Sequence, residues 1–78
     1  MHMNADRLVL LLAERDYLYG SGTLTLRVSA VERDAPINYD HELWYYVHGM
    51  QLGFDGRELG DRVVVVRGRR LVGTGALN

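Results

Sequence analysis

The chain has 78 residues, enough for one domain, and no cysteine, which excludes disulfides and thiolate metal sites. Its nine basic residues, all arginine, face ten acids for a net charge of −1, which argues against a general nucleic-acid binder. At this size only about 60–65% of the unfolded surface is buried on folding, so nearly every apolar side chain is needed for the core.

The opening residues, MHMNADR, lack the basic segment, long apolar run and small-residue cleavage site of a signal peptide, and residues 1–6 are expected to be frayed. The longest apolar run, residues 8–13, is too short to span a bilayer. The expectation is a cytoplasmic protein with no membrane association. Residues 8–14 fit two elements. Leu8, Leu11 and Leu12 suit a helix face, but the run is short and no strong capping signal precedes it, so a buried strand is the preferred reading.

The stretch YLYGSGTLTLRV, residues 17–28, raises the question of a ligand loop. Loops that hold phosphate follow a strand and deliver the ligand to a helix N-terminus. Here Gly20-Ser21-Gly22 leads into a strand, no lysine follows, and the spacing matches neither common phosphate fingerprint. It reads as a turn whose glycines supply positive φ. In residues 23–32 the alternation is clear: Leu24, Leu26, Val28 and Ala30 fall on one face, with Thr23, Thr25, Arg27 and Ser29 on the other. ERDAPIN, residues 32–38, holds the only proline and is expected to be a surface loop.

Residues 43–52, around WYYV, predict a third strand in which Gly49 marks a bulge or a close backbone approach. FDGREL, residues 54–59, carries a two-residue hairpin signal at Asp55-Gly56, and Gly60-Asp61 marks another bend. Four consecutive valines in residues 62–67 predict a strand covered on both faces. The tail, residues 73–78, is expected to fray. Together these elements predict an all-β fold of four to five strands, a small strongly bent sheet or barrel of the SH3-like or OB-like kind, spanning residues 1–78 as one domain. The comparison is one of shape and implies no function.

Residues 40–48, DHELWYYVH, hold the most chemistry. Asp40, His41, Glu42 and His48 contain metal-ligating types, but consecutive residues on an extended backbone point to opposite faces and do not converge without a turn. No ligand spacing for a metal is present, so neither metal nor cofactor is expected. Ser21 and Ser29 lack the context of an activated nucleophile, and no catalytic residue is assigned.

Trp44, Tyr46 and His48 share one strand face, and Leu43, Tyr45 and Val47 the other. Both faces are apolar although a small core needs only one. Trp44 is therefore either the main core aromatic or, with Tyr46 and His48, part of a contact surface. Arg67, Arg69 and Arg70 around Gly68 form the basic cluster. Residues 57–78 carry five arginines against two acids, while residues 1–56 carry four against eight. The cluster suits contact with a nucleic-acid backbone, a solvated strand end paired with acids, or protection of an edge strand.

The expected function is that of a non-catalytic interaction module binding a protein partner, either a foreign one or its own copy as a homodimer. The alternative is a nucleic-acid-binding barrel using Arg67, Arg69 and Arg70 with the aromatic face.

Overall fold

The computed structural model describes residues 8–77, which build a five-stranded antiparallel sheet. The expectation for residues 1–6 lies outside the described residues. The strands are β1 (Val9–Leu12), β2 (Leu24–Val31), β3 (Ile37–Tyr39), β4 (Glu42–Leu52) and β5 (Glu58–Arg67). Their order is β1-β2-β4-β3, with β5 along the other side of β4. The long β4 is thus the spine: β2 and β3 share one of its edges and β5 takes the other.

The all-β class holds, and residues 9–12 are a strand. Leu10 and Leu12 are buried while Val9 and Leu11 are exposed, the period-two pattern of a half-buried strand. The backbone then turns at once. Ala13 N–H donates to Asp16 Oδ2 at 2.9 Å, and Asp16 N–H returns a bond to Ala13 C=O at 2.8 Å. This reciprocal pair sets a single 3₁₀ turn, Glu14–Asp16, and closes off the helical reading of the preceding leucines.

The glycine loop wraps the protein's own tyrosine. Buried Tyr17 donates its hydroxyl to Ser21 C=O at 3.1 Å and Gly22 C=O at 2.9 Å. A Cβ at Gly20 would lie 2.4 Å from the Tyr17 ring, so the tyrosine itself requires glycine there. Gly22 has φ +76°.

Three sequence expectations are corrected by register. Ala30 does not continue the buried row of Leu24, Leu26 and Val28. Val28 lies opposite Gly49 and Ala30 opposite His48, so Ser29 has no opposite residue and the bulge sends Ala30 to the other, exposed face. The valine strand begins earlier than residue 62. Gly60 sits in a second bulge with φ +144°, opposite Gln51, while Glu58 lies opposite Leu52. Only Val64, Val65 and Val66 are buried; Val63 is 54% exposed, because the first half of β5 is an edge. Part of the proline loop is also strand: Ile37–Tyr39 pairs with residues 42–44.

The β4–β5 hairpin closes through Gly53 N–H to Arg57 C=O at 2.8 Å, with Gly56 in the left-handed region at φ +84°. Three residues, 54–56, therefore make the loop rather than Asp55-Gly56 alone. Gly49 is a close approach: a Cβ there would meet Arg27 C=O at 2.4 Å. Tyr17 and Leu71 cover the inner leucines and valines of the sheet. Residues 73–77 form turns in which Ala76 and Leu77 pack against this core, and Thr74 Oγ1 donates to Leu71 C=O at 2.6 Å.

Candidate functional site

The inner face of the sheet is covered, and the outer face is largely open. Alternation along β4 places Glu42, Trp44, Tyr46, His48, Met50 and Leu52 on this outer face. Registers with β1, β2 and β5 add Val9, Leu11, Arg27, Ala30, Asp61 and Val63.

Trp44, Tyr46 and His48 share that face as the alternation predicts, but they do not share an environment. Trp44 is 2% exposed. Its ring lies under the Arg67 guanidinium, 4.6 Å from centroid to Cζ, and meets Tyr39 edge-on at 5.9 Å. Its indole N–H donates to Tyr39 C=O at 2.8 Å. Trp44 is thus a small second core on the outer face, apart from the main inner cluster. Tyr46, next along the row and opposite Val65, is 36% exposed. His48 stands between Ala30 and Val63, with Nε2 2.5 Å from Glu32 Oε2.

Arg27, also on the open face, is partnered as well: its Nη2 lies 2.8 Å from Glu58 Oε2. Around His48, the residues Ser29, Gly49, Asp61, Arg62 and Val63 line a shallow depression of about 430 Å³. Ser29 Oγ donates to the backbone C=O of His48 at 3.1 Å and not to the ring, so the depression holds no Ser–His nucleophile pair.

The three arginines of the basic cluster do not form a free patch. Arg67 is bound to Glu42 through Nη1 and donates to Arg15 C=O from Nε at 3.3 Å and from Nη2 at 2.9 Å. Arg70 Nε lies 3.3 Å from Asp16 Oδ2, and its Nη2 donates to Leu11 C=O at 2.9 Å. Only Arg69, with a side chain 70% exposed and Nε 3.6 Å from Glu42, leaves its guanidinium to solvent. Arg67 and Arg70 form a clamp on residues 11–16. Their planar forks suit this task, because a single guanidinium satisfies several acceptors at once.

Asp40 and His41 both have positive φ, 55° and 62°, and form the two-residue link between β3 and β4. That turn carries them to an exposed tip. Among the described residues no group of three or more His, Cys, Asp or Glu is placed to hold a metal ion.

Sequence reasoning missed Val9, Leu11, Met50 and Val63 as members of this face and missed Glu32 as the partner of His48. A signal was present, since Val9 and Leu11 alternate with buried leucines. Met50 continues the alternation of Trp44, Tyr46 and His48 along β4, and Val63 joins the face through its register with His48. Comparison of this sequence and fold with protein-family models, with characterised proteins and with solved structures gives no significant match. Among the described residues no helix is long and apolar enough to cross a membrane.

Proposed function

We propose that this protein is a non-catalytic interaction module that binds a protein partner through the open face of its sheet. The observation that carries the reading is the set of apolar side chains exposed on that face, Tyr46 and Val63 on the β4–β5 side and Val9 and Leu11 on β1, with half-buried Met50 on β4. Two of its polar side chains are already held within the molecule, Arg27 by Glu58 and His48 by Glu32, so covering these leaves fewer unpartnered groups than an unpaired surface would. Half-exposed tyrosine beside aliphatic residues is the composition that anchors interfaces.

In shape, we read the molecule as a partly closed small barrel of the SH3-like or OB-like kind. Support comes from the Tyr17–Val66 bridge and the reach of Arg70 to Leu11, which tie the β5 end of the sheet to the β1 segment.

The test begins with affinity purification of the tagged protein from its native host, with and without nuclease. Against the captured partner, Tyr46→Ala should cost about 2 kcal/mol or more of affinity, the hot-spot range. Arg69→Ala should cost little, and affinity should vary weakly with salt. Nuclease-sensitive capture, with a log–log salt slope near 0.9 per neutralised phosphate that falls in the Arg69 variant, would replace this reading by nucleic-acid binding.

A further inference from the structure

A β-sheet ends in edges, and each edge exposes backbone donors and acceptors that invite another strand. Three edges remain among the described residues, and they differ. β3 is three residues long and follows Pro36 directly, so it offers little to pair with.

β5 is longer. Leu18 N–H donates to Val65 C=O at 3.0 Å, so Val65, Val63 and Asp61 direct their backbone groups outward. Pairing of this edge with itself is opposed in each register. Centring on Asp61 or on Arg62 puts like charges directly opposite, and centring on Val63 collides with Leu18, which already occupies Val65. The bulge at Gly60 guards it further.

β1 carries one obstacle, at one end: Arg70 donates to Leu11 C=O on its outer edge. Val28 N–H donates to Leu8 C=O at 2.8 Å, so by alternation Leu10 and Leu12 address β2 while Val9 and Leu11 address the outer edge. Among the described residues no strand pairs with that edge. Its sequence, VLLL, has no charge, no proline, no glycine and no bulge. Val9 and Leu11 also expose their side chains, Leu11 by 63%.

We propose that β1 pairs with β1 of a second copy, antiparallel about a two-fold axis at Leu10. The inference deepens the protein-binding reading and rests on it by naming the protein itself as a partner. In this register Val9 stands opposite Leu11 of the other copy, apolar against apolar, and Leu10 stands opposite Leu10. The two sheets become one, and the open faces join across an apolar seam. Leu11 C=O keeps its bond from Arg70 and accepts the new one on its second lone pair.

The experiment uses the full 78-residue protein. Sedimentation equilibrium should give twice 8.9 kDa at high concentration. Amide exchange on the unsubstituted protein should slow at Val9 and Leu11 by at least about tenfold between dilute and concentrated samples, with Leu10 and Leu12 unchanged. Leu11→Lys, which alters an exposed side chain, should return the protein to a monomer with an unchanged amide spectrum. A monomer at every concentration would overturn the proposal, as would protection of Val9 and Leu11 that does not depend on concentration. A dimer that survives Leu11→Lys but is lost in Tyr46→Ala would also overturn it, while supporting the open-face reading. A β1-linked dimer whose Tyr46→Ala variant binds a captured partner undiminished would support the pairing and overturn that reading instead.

Discussion

Tyr17 and the loop that follows it show how a single residue dictates its neighbours. The ring is buried, its hydroxyl satisfies two backbone carbonyls, and the loop must run close enough for Gly20 to have no room for a Cβ. Tyr17→Phe keeps the packing and removes both bonds, leaving two carbonyls to find water. We expect a loss of about 1–2 kcal/mol, read as a fall of roughly 4–8 °C in Tm per kcal/mol. Gly49 is constrained harder, because the atom in the way is the backbone oxygen of Arg27 and has no freedom to swing aside. Gly49→Ala should cost about 1–3 kcal/mol in urea unfolding, the range for overpacking. Trp44→Ala should cost about 3–5 kcal/mol. Loss of partner binding in that variant would therefore report unfolding, and Tyr46 is the residue on which binding is to be tested.

At the scale of elements, the segment from β1 to the first 3₁₀ turn is held from two directions: by β2 along one edge and by the arginine clamp from the far end of β5. Asp16 belongs to both arrangements, capping Ala13 and facing Arg70. Asp16→Ala should cost about 1–2 kcal/mol as a lost cap, whereas Asp16→Asn, which retains an acceptor for Ala13 N–H, should cost about half of that. Urea midpoints of the two variants check the ranking.

Strands were legible wherever a period of two ran unbroken, as in residues 9–12 and 24–28, because the pattern there reflects burial on one side only. The alternation of residues 44, 46 and 48 was legible for the same reason. What it did not convey was which of the three is covered. That depends on Tyr39 and Arg67, which come from β3 and β5 and meet Trp44 only through register. The arginines illustrate the same limit. Residues 67–70 look like a free basic patch, yet of their partners Glu42 lies on another strand, and Arg15, Asp16 and Leu11 lie more than fifty positions away and carry no local mark. Bulges erase the signal as well: one extra residue at Ser29 exchanges the faces, and Ala30 emerges where the alternation hides it.

Across the whole molecule, the described residues span 35 × 34 × 18 Å, thin in one direction because a single sheet is covered on one side by turns and left open on the other. Such a slab has a large open surface for its volume, and with the inner cluster as its main core it should unfold in one cooperative step. The clamp also bears on the order in which this core assembles. Arg67 reaches across 52 positions of sequence to Arg15, and Arg70 across 59 to Leu11, whereas β4 and β5 join through a three-residue loop. Closing the long loops carries the greater entropic cost, so the β4–β5 hairpin and its contact with β2 should form in the folding transition state, and the arginines should lock afterwards. Arg70→Met should then speed unfolding while leaving the refolding rate nearly unchanged, a φ-value near zero, with Gly49→Ala mainly slowing refolding. Stopped-flow chevrons of the two variants separate these outcomes. In kinetic terms the clamp acts as a late latch: it governs how long the folded protein persists and has little influence on how fast it arrives.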